Sequence, residues 1–210
     1  MSGVLTLEAL CQAVRGHGQN TLALTDTNGL YGVIRFLDIA RQAGLKPILG
    51  AELVHQQHRA VLLAKTPAGY ANLCRILSAR HSDPSFDCIS TVARHRDGLI
   101  LLSDDRTALT AWQQDSAEDL FVELTPGPLM HEAVTISRHL SLPAVATARA
   151  LFLHPSEYQA HRLLRAIALN TTLSRLRAGD CCASSQWLMP EGILTRHYPH
   201  LPEALTNTSR

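Results

Sequence analysis

Residues 21–53 read TLALTDTNGLYGVIRFLDIARQAGLKPILGAEL, and they contain a complete strand, helix, strand unit. The apolar start is typical of a strand that is buried on both faces. Residues 26–29 supply turn and helix-capping chemistry, and apolar residues then recur at helical spacing until Gly44 ends the helix. In α/β folds, catalytic and binding residues lie in the loops that follow the C-terminal ends of the strands. We therefore expect a site near residues 26–28 and 52–58.

The same alternation of apolar strands and amphipathic helices continues along the chain. It predicts an α/β fold with a mostly parallel sheet or barrel. The predicted strands are residues 21–25, 47–53, 58–64, 98–103, 119–124 and 143–147, and the predicted helices are residues 5–14, 30–43, 70–80, 89–95, 107–114, 129–140 and 155–169. From residue 170 the pattern gives way to a mixture of Thr, Ser, Gly and Cys. We therefore expect one domain over residues 1–169 and a linker over residues 170–210.

Composition limits the classes of function. The chain has 210 residues, of which 46% are hydrophobic, so it can bury a sizeable core. Its 19 basic and 18 acidic residues give a net charge of +1, which provides no global field to attract nucleic acid or an anionic membrane. No apolar run approaches the roughly 20 residues that span a bilayer, and the first ten residues do not resemble a signal peptide. We expect a cytoplasmic protein.

Other motifs give little support for a site. The five cysteines are scattered without zinc-site or disulfide spacing, so we expect reduced thiols. No Gly-x-Gly-x-x-Gly, Walker or Gly-x-Ser-x-Gly pattern is present. His154 and His161 lie seven residues apart on or beside one helix, where we expect a surface or interface role. We expect Arg175 and Arg177 to be solvated.

A set of longer segments is more informative. In chain order they read ALTDTNGLYGVIRF, AGLKPILGAEL, HRAVLLAKTPAGYANLCRILS, HRDGLILLS, LPAVAT and LPEALTNT. In order and spacing they closely resemble the N-terminal part of the alpha subunit of bacterial DNA polymerase III and of the related error-prone polymerases. The resemblance covers residues 5–210. It implies a PHP domain (polymerase and histidinol phosphatase), which is a distorted β/α barrel of seven strands whose strand ends can hold a metal cluster.

The sequence departs from this family at its start. Family members open with a strand that carries a His-x-His or Asn-x-x-Ser type motif, and residues 1–7 align with the segment just after that motif. The resemblance therefore implies an incomplete barrel that lacks the first strand and the polymerase core. We expect the strand at residues 21–25 to lie at one exposed edge of the sheet.

The metal positions of the family are only partly retained. A hydrolytic PHP site needs several His, Asp and Glu ligands to hold two or three metals and activate a water. By resemblance, Glu52 and His58 match family ligands, and Asp105 lies near a third position. Thr27 replaces a family histidine, and residues 148–151 read Ala-Arg-Ala-Leu in place of Asn-Asp-x-His. We expect Glu52 and His58 to be residual positions without metal, whereas intact relatives use zinc, manganese or magnesium.

The resemblance implies the PHP domain of a bacterial DNA-directed DNA polymerase, whose parent protein acts in DNA replication or error-prone repair synthesis. The domain itself would be a structural and partner-docking module. Its implied partners are the remaining polymerase domains, the proofreading exonuclease or other replication and repair proteins, and DNA through the parent protein.

We expect this chain alone to be inactive and to have no catalytic residues, because residues 1–210 contain no palm region with paired metal-binding carboxylates. Two other interpretations stay open, a stand-alone PHP metal-dependent phosphoesterase and a non-functional remnant. Replicative and error-prone parentage also stay open.

Overall fold

The computed structural model describes residues 6–209 of the chain. The strands in this part are β1 Thr21–Thr27, β2 Lys46–His55, β3 His58–Ala64, β4 Leu99–Ser103, β5 Leu120–Leu124 and β6 Ala144–Ala146. The α-helices are α1 Leu7–Gly16, α2 Val33–Gln42, α3 Pro67–Ser82, α4 Cys88–His95, α5 Arg106–Asp115, α6 Met130–Leu140, α7 Tyr158–Ala168, α8 Glu191–His197 and α9 Pro202–Thr206. The predicted helix start at Leu5 lies outside the described residues.

The six strands form one sheet in the order β1-β2-β3-β4-β5-β6. Only β3 runs antiparallel to its neighbours, because β2 and β3 form a hairpin whose His55 pairs with His58. The two-residue turn of this hairpin places Gln56 in the left-handed region, at φ 52°. The sheet is open and curled, which confirms the predicted α/β fold with an incomplete barrel. Within residues 6–209, β1 pairs only with β2 and forms an edge of the sheet, as expected.

Helices α3 to α6 pack against one face of the sheet and form the main core with it. Fully buried strand residues on this face include Leu53, Leu62, Leu101 and Leu120. Trp112 of α5 is also fully buried there, and its indole NH donates to the carbonyl oxygen of Ile89 over 3.0 Å. A second cluster joins α1 and α2 to the edge of the sheet.

Local sequence fixes where several helices begin. Thr6, Thr66, Asp87 and Asp105 are N-caps whose side-chain oxygens accept hydrogen bonds from backbone NH groups of the first turn. Each cap satisfies backbone donors that have no partner inside the helix. The caps therefore also fix the loops in which these residues lie.

The segment after α7 packs onto the same core. Tyr198 is 2% exposed, and its hydroxyl donates to the carbonyl oxygen of Leu124 over 2.8 Å. Ala204 of α9 is buried, and the Asn207 side chain donates to the carbonyl oxygen of Ala144 over 2.8 Å. These contacts attach the end of the described chain to β5 and β6. The assignment of residues 170–210 as a linker stays a prediction.

Within residues 6–209, no helix is both long enough and apolar enough to cross a membrane.

Candidate functional site

Two charged residues of the β2–β3 hairpin point away from the helices. Side chains alternate between the two faces of a strand, and Leu53 and Leu62 face the helices. Glu52 and Arg59 therefore lie on the opposite face, which we call the inner face. Glu123 of β5 shares it, because the flanking residues of that strand are buried in the main core.

Glu52 is the centre of a polar network on the inner face. Its Oε1 accepts hydrogen bonds from Arg59 Nε over 2.7 Å and from Arg149 Nη2 over 2.8 Å. Its Oε2 accepts from the hydroxyl of Thr27 over 2.7 Å. The side chain of Glu52 is only 17% exposed. Both carboxylate oxygens are thus already bonded within the protein.

Arg59 extends this network to β5. Its Nη1 donates to Glu123 Oε2 and lies 3.7 Å from Asp104 Oδ1. Glu123 Oε1 accepts from the hydroxyl of Thr147 over 2.7 Å. The Glu123 side chain is only 3% exposed, so this carboxylate depends on Arg59 and Thr147 for the interactions that water would otherwise supply. We call the six residues Thr27, Glu52, Arg59, Glu123, Thr147 and Arg149 the inner-face network.

The charges and hydrogen bonds of the network favour the ionised forms of Glu52 and Arg59. Burial acts to raise the pKa of Glu52, but the charge and hydrogen bond of Arg59, the hydroxyl of Thr27 and the charge of Arg149 together lower it below 4.5. Burial likewise acts to lower the pKa of Arg59, and the carboxylates of Glu123 and Glu52 outweigh it, so this pKa rises. Glu52 is therefore ionised at neutral pH.

His58 lies in a different environment from Glu52. It is three residues from Val61, the register partner of Glu52, so its side chain points to the other face of the hairpin. His58 Nδ1 donates to Asp105 Oδ2 over 2.5 Å, and the ring is almost buried. Asp105 Oδ1 accepts from the backbone of α5 as its N-cap. The two predicted residual metal positions are therefore not brought together.

The loop after β1 supports the network rather than forming a separate site. Asn28 lies in the left-handed region at φ 54°, and its side-chain amide exchanges hydrogen bonds with both backbone groups of Val54. Asp26 Oδ2 accepts from the Gly32 NH over 2.8 Å. These bonds fix the loop so that Thr27 reaches Glu52.

His154 and His161 do not share a surface. His154 is exposed, whereas His161 is 1% exposed, so the expectation of a surface or interface position is wrong for His161. Its ring stacks on Tyr158, and its Nε2 accepts a hydrogen bond from the Cys182 NH over 3.2 Å. The segment after α7 covers it, which the helical pattern alone did not reveal.

Sequence reasoning missed Arg59 and Glu123, the two most buried charges of the network. A signal for both was present. Each is a charged residue inside an apolar strand, in HRAVLLA and DLFVEL. A buried charge needs a partner, so two such residues of opposite sign in one sheet indicate an internal ion pair.

Comparison with known proteins assigns this chain to a family. The model of the PHP domain matches residues 1–123, which is more than half of the chain. The chain belongs to the PHP domain family. Within residues 6–209 this PHP domain contains no group of three or more His, Cys, Asp or Glu residues that could hold a metal ion.

Two curated relatives extend over nearly the whole PHP domain chain. DNA polymerase III subunit alpha from Vibrio cholerae is 26% identical, and the match covers 99% of this chain and 21% of that protein. Error-prone DNA polymerase from Symbiobacterium thermophilum is 28% identical, with coverage of 99% and 23%. The chain thus spans about a fifth of the length of these relatives.

Solved structures show a weaker likeness. An amidohydrolase from Chromobacterium violaceum is 14% identical with a TM-score of 0.46, and the match covers 69% of this chain and 82% of that one. A protein assigned only provisionally as a metal-dependent phosphoesterase, from Bifidobacterium adolescentis, is 11% identical with a TM-score of 0.48 and coverage of 70% and 82%. A likeness this partial indicates nothing about function.

Proposed function

We propose that this chain is the PHP domain of a bacterial DNA polymerase of the DNA polymerase III alpha or error-prone type, and that it is a non-catalytic structural and docking module. The order of its segments and the near-complete coverage by two polymerase relatives support this assignment. The parent activity is DNA synthesis in replication or repair, in the cytoplasm. The partners are the remaining polymerase domains, a proofreading exonuclease or other replication and repair proteins, and DNA through the parent protein.

One observation carries the non-catalytic part of the proposal. Both oxygens of Glu52 are bonded to protein donors, and two of those donors are guanidinium groups. A divalent cation needs several converging ligands with free lone pairs, and the positive charges of Arg59 and Arg149 repel it. His58 points to the other face of the hairpin and is bonded to Asp105. The residues that are present do not fit a PHP metal cluster.

The inner-face network has a structural role in this proposal. Its guanidinium groups bridge β2, β3, β5 and the loop after β6, which a metal cluster would otherwise join. Ion pairs of this kind hold the strand ends in a fixed arrangement without a bound ion. The outer helices and exposed loops then remain free to contact other domains.

Activity assays on the purified chain test this function. We expect no extension of a primed template and no hydrolysis of p-nitrophenyl phosphate above a mock purification, with magnesium, manganese or zinc added. Hydrolysis that disappears in both Glu52→Gln and His58→Ala would favour the stand-alone phosphoesterase instead. The docking role is tested by mixing the chain with separately expressed polymerase domains that lack their PHP domain. Co-migration in gel filtration supports it, and separate elution contradicts it.

A further inference from the structure

A cavity of about 210 Å³ lies between α7 and the segment that follows it. It is lined by Tyr158, Arg162, Leu176, Arg177 and Cys181. Its volume is several times the roughly 30 Å³ share of one water molecule, so it can admit a small anionic group. Among the described residues that line it, two are arginines and none is acidic.

The two arginines of this cavity keep their charge uncompensated. Neither Arg162 nor Arg177 forms an ion pair with any carboxylate of residues 6–209. Within the described part of the chain, Arg162 donates to two neutral acceptors, the Gln159 side chain over 3.4 Å and the Leu173 carbonyl oxygen over 3.3 Å. Both contacts are long for hydrogen bonds, so a charged acceptor would compete with them well.

The nearby carboxylates that the structure describes accept hydrogen bonds from backbone NH groups and not from the guanidinium groups of the cavity. Asp180 Oδ2 accepts from the backbone NH of Arg177 over 2.8 Å, and Glu157 Oε2 accepts from the backbone NH groups of Leu153 and His154. Residues 157–180 contain four arginines and only these two acids, so the segment carries excess positive charge. Two of these arginines, Arg162 and Arg177, line the cavity, whereas the net charge of the whole chain is only +1.

Tyr158 adds a positioned neutral donor. Its ring stacks on His161 at an interplanar angle of 16° and packs against Phe152, which fixes where the hydroxyl points. The hydroxyl has no hydrogen-bond partner in the described part of the chain. Two guanidinium groups and one free hydroxyl around a cavity are the donors that bind phosphate oxygens.

We propose that this cavity binds a phosphate group through Arg162, Arg177 and Tyr158. The phosphate can come from a free nucleotide or from the backbone of single-stranded DNA, and the donors are the same in both cases. This inference is independent of the inner-face network and of the absence of catalysis. It concerns the cavity between α7 and the segment that follows it, and none of the residues that line this cavity belongs to the network.

Binding measurements on the full chain at low ionic strength test the site. The probes are inorganic phosphate, deoxyadenosine monophosphate and a fluorescent oligothymidylate. We expect the double variant R162Q/R177Q to bind each recognised probe at least about tenfold more weakly, because each arginine supplies a charge-assisted hydrogen bond. Tyr158→Phe should weaken binding by about fivefold, the effect of one neutral hydrogen bond. Arg41→Gln is the matched control, since it removes an exposed charge away from the cavity and should change nothing.

The choice of probe separates the two sources. Binding of phosphate and the mononucleotide assigns a free ligand, and binding of the oligonucleotide alone assigns a nucleic-acid backbone. The proposal is overturned if no probe binds at millimolar concentration. It is also overturned if R162Q/R177Q binds as well as the unchanged protein, or if Arg41→Gln loses as much affinity as the double variant. Because Arg177 is exposed, the single variant Arg177→Gln preserves the test should the double variant fail to fold.

Discussion

Replacing Arg59 with methionine is expected to lower the free energy of unfolding by about 3–5 kcal/mol, the cost of removing one partner from a buried ion pair. Methionine keeps much of the apolar stem of arginine but supplies no charge. Among the residues that the structure describes, the Thr147 hydroxyl would then be the remaining hydrogen-bond partner of the Glu123 carboxylate, which is 3% exposed. Urea denaturation followed by far-ultraviolet circular dichroism measures the change at neutral pH.

A control and a pH series make this test specific. Arg35→Met removes the arginine of an exposed ion pair with Glu8, and we expect little change because solvent screens that pair. The deficit of Arg59→Met should shrink as the pH falls below 4.5. In the unchanged protein the pKa of Glu52 is lowered from 4.5, so its contribution is present above that pH and is lost below it. In the variant, burial without the charge and hydrogen bond of Arg59 favours the protonated form of Glu52. A deficit that is small or independent of pH would contradict the inner-face network.

Truncating Tyr198 to alanine is expected to have an effect of similar size, about 3–5 kcal/mol, because it removes a buried aromatic side chain from the main core. Tyr198 is 2% exposed although it lies within residues 170–210, far from the strands in sequence. The same denaturation experiment measures the loss. Such a loss would assign this part of the chain to the folded domain.

Two further variants identify the source of that loss. Tyr198→Phe removes only the hydrogen bond to Leu124 and should cost about 1 kcal/mol. Tyr31→Ala is the matched control, because Tyr31 is 79% exposed and should contribute little. If Tyr198→Ala unfolds at the same urea concentration as the unchanged protein, residues 170–210 act as a linker only.

The strands and helices of this protein are local features, and the sequence therefore predicts them well. Each predicted strand overlaps an observed one, and the first predicted helix corresponds to α1. The direction of β3 was not specified, because its apolar pattern is the same in both directions. The direction depends on the two-residue turn at Gln56, which carries no Gly or Asn to signal a hairpin. Packing after residue 170 was also missed, since single buried residues such as Tyr198 leave no periodic pattern.

The site was harder to predict because it depends on contacts between distant strands. The family resemblance identified Glu52 and His58 one by one, as residual ligand positions without metal. Only the hairpin register shows that they point to opposite faces. Arg149 was recognised as a positive charge at a ligand position, and its contact with Glu52 spans 97 residues of sequence. No local signal reports a contact of that range.

We propose that the inner-face network takes the place of a PHP metal cluster in this chain. Elemental analysis by mass spectrometry tests it most directly, on protein from medium supplemented with zinc, manganese and iron, after brief chelation and dialysis. Glu8→Gln serves as the matched control for Glu52→Gln, because Glu8 is an exposed carboxylate outside the inner face. The account predicts metal far below stoichiometric amounts in all three proteins. One or more equivalents of metal in the unchanged protein and in Glu8→Gln, lost in Glu52→Gln, would contradict it.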